Sequence, residues 1–384
     1  MVVNMLDTVL YSITAGATVF ALIQSLKPRT QRQLKPQWLT TLLVLLLVHT
    51  LGQLFIAAGA YQLAPHLAGA ELPIRMLLAP TLYLYTRSLI TPEKPSLRFI
   101  LLALLGPLAI ILVMLPFASI GAEDKLALAH PATRDPELFR LAKMTCIAAT
   151  TVFIALTAAY LVMALRLQQR HRLHMMQLYS NLEQRSLDWL KLMLFVWGGS
   201  WTLYAIDEAL WVFGWHLRGL DTVLAIVEAC TLIAFAHLAL NQAAVVSETS
   251  KSLPLTEKIR EASLDAGRMQ RIADRLKTRM AEDKLYSECD LSLRRLAEVS
   301  GTTENHLSET FSQFLKTNFF NFVNGYRIDE AKRLLSSTDT SIITIAFEVG
   351  FNSRSTFNSA FKKATGVTPR TFRSQVFADN SPPK

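Results

Sequence analysis

The sequence predicts an all-α fold, with a seven-helix transmembrane bundle followed by a soluble all-helical domain that holds two helix-turn-helix units joined by a long helix. Three observations predict it. Between residues 5 and 246 apolar residues come in blocks of roughly twenty, the length a helix needs to cross the ~30 Å hydrocarbon core of a bilayer. After Ser247 no such block recurs and charged residues become frequent. Within that charged part, a pattern of short helix, glycine and second helix occurs twice.

The apolar blocks come first. The chain has 384 residues, 51% of them hydrophobic, and a mean hydropathy of +0.28, too apolar for an ordinary soluble protein. Spans are expected at Met5–Leu26 and at residues 38–60, 72–90, 99–120, 138–165, 187–213 and 220–244. The first lacks the basic leader of a secretory signal and is expected to be a retained span, not a cleaved peptide. Pro73, Pro80, Pro107 and Pro116 are expected to kink or end their helices, since proline lacks the amide and clashes with the preceding turn.

Loop charges set the orientation. The loop after span one carries Lys27, Arg29, Arg32 and Lys35 with no acid. The loop after span three carries Arg87, Lys94 and Arg98 against Glu93, and the loop after span five Arg166, Arg170, Arg172 and Arg185 against Glu183. Residues 61–71 have no Lys or Arg, 214–219 only Arg218, and 119–137 two bases against four acids. Basic loops face the cytoplasm. The N-terminus is therefore expected outside and the C-terminal domain in the cytoplasm, with the chain multi-pass in the cytoplasmic (inner) membrane of a bacterium.

Ionisable residues inside spans are costly, so each is a candidate site. His49, Arg75, Asp207, Glu208 and Glu228 are expected to line a ligand-sensing pocket open to the outside, with Arg75 facing the carboxylates. The alternative is that Arg75, Asp207 and Glu208 reach the membrane interface while His49 and Glu228 make interhelical hydrogen bonds. No H-E-x-x-H, G-x-S-x-G or paired-aspartate motif is present, so neither enzyme activity, cofactor nor metal is expected. Cys146, Cys230 and Cys289 show no metal-ligand spacing and are expected as buried or reduced thiols without a disulfide.

Net charge is +9 and the isoelectric point about 9.5, but residues 247–384 hold 21 bases against 17 acids, so charge alone argues weakly for nucleic acid. Residues 247–254 read as a polar connector. Leu255, Ile259, Ala262, Ala266, Met269, Ala273, Leu276 and Met280 then alternate at spacings of four and three. Such a seam pairs with a second subunit or forms the first helix of the next domain's own core.

The two units follow. Ser292 can cap a helix with Leu293, Leu296, Ala297 and Val299 inward. Gly301 supplies a left-handed turn, and Thr302 or Thr303 caps a helix burying Leu307 and Phe311. A long amphipathic helix over 319–335 leads to the second unit, where Thr340 or Ser341 caps, Gly350 turns, and Ser353 or Ser355 opens the last helix. In a DNA-binding helix-turn-helix the second helix enters the major groove.

These residues resemble the AraC/XylS-type DNA-binding domain. The matching features are LSLRRLAEVSG at 291–301, NHLSETF at 305–311, YRIDEAKRLL at 326–335 and GFNSRSTFNSAFKKATGVTPRTFR at 350–373. The resemblance covers a fifth to a quarter of the chain. Two departures stand out: Lys316 occupies a place commonly held by glycine, and Glu309 a groove-facing place where basic or polar residues are usual.

The resemblance implies sequence-specific binding of promoter DNA, with RNA polymerase as a further partner. Glu304, Asn305, Ser308, Glu309 and Gln313 in the first unit, and Arg354, Ser355, Asn358 and Ser359 in the second, are the expected base readers. Thr303, Lys362, Lys363 and Arg373 are the expected phosphate contacts. The domains are expected as 1–246 transmembrane, 247–264 linker, 265–376 AraC-type DNA-binding (units 292–316 and 341–365) and 377–384 tail. The whole then reads as a membrane-bound transcription regulator touching DNA, the lipid bilayer, a small ligand and a second copy of itself. The competing reading is a transporter or enzyme with an attached DNA-binding feedback domain.

Overall fold

A computed structural model of the chain describes residues 5–26, 37–67, 69–91, 94–128, 132–183, 185–212, 215, 219–241 and 264–379. Among these the fold is helical without a strand, and the one extended pairing is an antiparallel bridge between Tyr179 and Ser292. The chain divides into two compact units: 1–169 with 187–253, and 170–186 with 254–384.

In the first unit, α1 (Met5–Leu26) packs on α2 (Gln37–Ala57) and on α10 (Leu220–Asn241). The face α1 buries is made of small residues, Thr14, Ala15, Thr18, Ala21 and Ser25, which let two backbones approach closely. Its hydroxyls are satisfied locally, Thr18 Oγ1 donating to the Thr14 carbonyl at 2.7 Å. Leu39, Leu42, Leu43 and Leu46 of α2 fill the core behind it, together with Phe235 and Trp197.

Proline divides the next helices. Pro80 would strike the carbonyl four residues back, and the chain breaks there, between α3 (Leu72–Arg75) and α4 (Leu78–Ile90). Pro107 does the same between α5 (Leu97–Ala103) and α6 (Leu105–Ala118), which still form one apolar stretch. Pro116 lies inside α6, and Pro73 occupies the first turn of α3, where no amide is needed. After α7 (Ala122–Leu128), α8 runs 43 residues, Pro136–Leu178, and α9 covers Asp188–Val212.

Five helices are long and apolar enough to cross a membrane: Met5–Leu26, Gln37–Ala57, Leu97–Ala118, Pro136–Leu178 and Thr222–Asn241. The seven-span expectation is met only to that extent. The third span is cut to the 13 residues of α4 by the Pro80 break, and α9 is long but carries Asp188, Lys191, Asp207 and Glu208. Leu108, Leu112 and Leu115 on α6, and Val223, Ile226 and Ile233 on α10, lie exposed, a surface that demands an apolar surround. The three cysteines are free as expected, but exposed, not buried. The basic loop at Lys27, Arg29, Arg32 and Lys35, and the connector 247–254 with Leu255, Ile259 and Ala262, lie outside the described residues.

The second unit begins with the end of α8 and the turn after it. Met175, Met176, Leu178 and Leu182 pack with α11 (Ala266–Glu282) into one core. Met269, Ile272, Leu276 and Met280 point into that core, so the described part of the 255–280 seam folds onto its own domain. α12 (Leu293–Val299) and α13 (Glu304–Glu309) form the first helix pair, with a π-turn at Thr310–Phe314 continuing α13. α14 (Phe319–Ser337) gives Phe319 and Val323 to this core and Ile328, Ala331 and Leu335 to a second one. That second core holds α15 (Ile342–Glu348), α16 (Arg354–Thr365) and Phe372 of α17 (Pro369–Asp379). One rigid helix thus carries both units.

Candidate functional site

Each short helix of the second unit starts at a side-chain cap. Ser292, Thr303, Ser341 and Ser353 accept from the amides of Arg295, His306, Thr344 and Thr356, at 3.1 to 3.2 Å. Such caps fix where the first turn begins, and so which side chains face outward. The caps resolve the sequence alternatives in favour of Thr303, Ser341 and Ser353. Gly301 and Gly350 adopt the left-handed conformation, with φ of 62° and 95°. Lys316 does so as well, at φ 51°, so the chain turns where the resemblance leads one to expect glycine.

Outward from α13, Asn305 and Gln313 are exposed and Glu304 and Ser308 half-exposed. On α16, Arg354, Ser355, Ser359, Lys362 and Lys363 are exposed and Asn358 half-exposed. Three other candidates have structural partners. Thr303 is the cap of α13. Glu309 accepts from the Leu264 amide at 3.2 Å, fastening the chain ahead of α11 and turning this acid from the place expected for base contact. Arg373 is half-buried and donates through Nη2 to the Thr340 carbonyl at 2.6 Å, which joins α17 to the start of the second unit.

The residue that organises this unit was not a sequence candidate. Arg327 on α14 is fully buried. Its Nε donates to the Tyr286 carbonyl at 2.7 Å, and Nη2 to the Glu288 carbonyl at 2.8 Å and to Ser180 Oγ at 3.1 Å. Nη1 reaches the Ser180 carbonyl at 3.3 Å, and the guanidinium lies 5.5 Å from the Phe351 ring centre. Burial pushes its pKa down to about 10, still far above neutrality. Arg327 therefore ties both helix pairs to Ser180. Beside Ser180, the Glu183 carboxylate accepts from the hydroxyls of Ser353 and Thr356 at the first turn of α16. Sequence offered no signal for this contact, because 170 residues separate its partners.

Of the candidate residues of the first unit, His49 and Glu228 meet across two helices, as the second sequence reading has it. His49 of α2 holds two carboxylates, Nδ1 at 3.0 Å from Glu71 Oε2 and Nε2 at 3.0 Å from Glu228 Oε1. Glu71 was read only as part of a neutral loop. It reaches His49 because Gly52 leaves room: a Cβ there would lie 2.8 Å from Glu71 Cγ. Arg75 pairs with neither acid, a correction to the expected pairing. Its guanidinium carbon sits 4.6, 4.4 and 5.3 Å from the ring centres of Phe153, Trp201 and Tyr204. His49, Arg75 and Glu228 do share one cavity of about 460 Å³. Asp207 is buried but does not line it, and the Glu208 side chain lies outside the described residues.

One helix carries two capped helix pairs, each with a polar outward face on its second helix. Residues 296–375 match the family model of a helix-turn-helix domain. An uncharacterized HTH-type transcriptional regulator of Staphylococcus aureus (strain COL) is 41% identical over 90 residues, which are 23% of this chain and 12% of that protein. The HTH-type transcriptional regulator YobQ of Bacillus subtilis (strain 168) is 28% identical over 89 residues, 23% of this chain and 37% of that protein. Among solved structures, the C-terminal domain of AraT, a response regulator from Geobacillus stearothermophilus, matches with 31% identity and a TM-score of 0.25, covering 30% of this chain and 88% of that one. The chain thus spans about an eighth of the length of the staphylococcal relative, and the family match at 296–375 lies within the second unit.

Proposed function

We propose that this protein is a membrane-held, sequence-specific transcription regulator and not an enzyme. The observation that carries the reading is the outward face of α13 and α16, where Asn305, Gln313, Arg354, Ser355, Asn358 and Ser359 have no side-chain partner among the described residues. On this reading Glu304, Asn305, Ser308, Gln313, Arg354, Ser355, Asn358 and Ser359 read bases, while Lys362 and Lys363 hold phosphates. Two recognition helices on one rigid helix suit successive major grooves on one face of promoter DNA.

The membrane placement rests on the five apolar helices and on the alternation of basic and neutral loops. The reading takes seven spans, an outside N-terminus and a cytoplasmic DNA-binding unit, supported by the alternation of loop charge. The cavity holding His49, Arg75 and Glu228 is the place for a signal. The coupling point is Glu183. A helix N-terminus attracts anions, so this carboxylate occupies a position that a DNA phosphate would take on α16. A signal that withdraws Glu183 would free the second recognition helix. A homodimer and, from the family resemblance, RNA polymerase are the further partners of this reading.

Chromatin immunoprecipitation with sequencing tests it. Discrete promoter sites are expected for the full chain and are expected to vanish in the Arg354→Ala, Asn358→Ala double variant. Binding without sequence preference, or sites unchanged in the double variant, would refute the reading.

A further inference from the structure

In the first unit, hydrogen-bonding capacity is spent unevenly. Both ring nitrogens of His49 lie against carboxylates, and Glu71 takes a second bond through Oε1 from Gln53 Nε2 at 3.1 Å. The acids near the cavity therefore have partners. Arg75 does not. It is 9% exposed, lies in no salt bridge among the described residues, and its Nε is buried without an acceptor. The rings of Phe153, Trp201 and Tyr204 offer their faces to its charge. They cannot accept along the directions of the N–H fork, and a guanidinium has five such donors.

A buried donor left unmade is costly, and native structures keep few of them. A second one borders the same cavity: the Tyr61 hydroxyl is buried and lacks a partner among the described residues. Trp197, Trp201 and Leu224 supply the apolar part of the remaining wall, which also carries Glu228 and Asp7, whose Oδ1 accepts from Thr222 Oγ1 at 3.0 Å. At about 460 Å³ the cavity is of the size that holds a small organic molecule.

We infer that this cavity binds a small organic carboxylate, whose anionic group accepts from Arg75 and from the Tyr61 hydroxyl and whose apolar body lies along Trp197 and Trp201. Carboxylate geometry matches the guanidinium fork in a way that a neutral amide does not. The inference rests on the reading of the membrane half as the place of the signal, and it names the chemistry of that signal.

The test uses the full chain in nanodiscs of zwitterionic lipid, with phenylacetate and hexanoate as probes against phenylacetamide and hexanamide. Tryptophan fluorescence and thermal stability are read without DNA, so failure here and failure of promoter binding are separate results. Saturable binding of at least one carboxylate is expected, about tenfold or more tighter than its amide, the scale of a charge-assisted bond. Arg75→Gln should lose a similar factor and Tyr61→Phe a smaller one. The comparison of acid with amide needs no variant, and Tyr61→Phe removes only a hydroxyl, so poor folding of Arg75→Gln would not block the test. Equal binding of acids and amides overturns the inference, as does the absence of saturable binding by both carboxylates. So does the same fluorescence change on adding anionic phosphatidylglycerol alone, which would assign Arg75 to a lipid headgroup.

Discussion

Replacing Gly350 by alanine isolates what holds the second helix pair in place. At φ 95° a side chain already costs about 1–2 kcal/mol. The added Cβ would also lie 2.5 Å from the Tyr286 carbonyl oxygen and 2.9 Å from that of Ser287. Both are backbone atoms, and the Tyr286 oxygen is the acceptor of Arg327 Nε at 2.7 Å, so the turn cannot retreat without loosening that bond. Overpacking of this kind costs about 1–3 kcal/mol, which brings the expected loss to roughly 2–5 kcal/mol. Gly301→Ala is the internal control. Its φ is 62° and the nearest atom to an added Cβ, Arg275 Nη1, lies 3.7 Å away, so only the conformational cost of about 1–2 kcal/mol applies. Pulse proteolysis across a urea series, on the full chain in nanodiscs with a C-terminal epitope, reads both. Equal losses for the two variants would refute the assignment of Gly350 to close backbone packing.

Lys316 stands at φ 51° without glycine's freedom, so Lys316→Gly should stabilise the second unit by about 1 kcal/mol, read by the same proteolysis; destabilisation would contradict the conformational account. Glu183→Gln leaves a weaker acceptor for Ser353 and Thr356, and should raise promoter affinity severalfold in fluorescence anisotropy with the full chain, opposite in direction to Arg354→Ala. The Arg333 hydrogen bond holds the Glu330 carboxyl below its ordinary value of 4.5. Its contribution is therefore complete above about pH 4.5 and is lost as pH falls through the lower folded value. Glu330→Gln should remove that part of the acid sensitivity, visible as a shallower fall in stability between pH 5 and pH 3.

What the sequence disclosed was mostly local. Caps such as Ser292 and turns such as Gly350 depend on a few neighbouring residues, and both stand where the pattern placed them. The departure at Lys316 was equally legible, since a lysine in place of glycine shows in the residues themselves. Outward-facing residues followed from the apolar stripe of each helix, but the structural partners of Glu309 and Arg373 did not, because Leu264 and Thr340 lie 45 and 33 residues away. In the first unit, in-span ionisable residues marked His49, Arg75 and Glu228. The contact between His49 and Glu228 was among the sequence readings, whereas Glu71 came from a loop and the groups facing the charge of Arg75 were aromatic rings, neither of which the pattern marked. Two of the seven expected spans are not among the helices long and apolar enough to cross a membrane: Pro80 shortens the third apolar block to a 13-residue helix, and α9 carries four charged residues.

The place of Ser180 has a consequence for how the protein is made. Its amide and hydroxyl both donate to the Leu291 carbonyl, and its own oxygens receive Arg327. Synthesis runs from the N-terminus, so Met175 to Leu182 leave the ribosome some hundred residues before the helices they pack against. Until α9, α10 and then the rest of the second unit have followed, that core lacks most of its residues and Ser180 lacks its partners. The unit should thus complete its folding only after the last apolar helix has been made, so that a chain stalled within its first 241 residues presents no finished second unit.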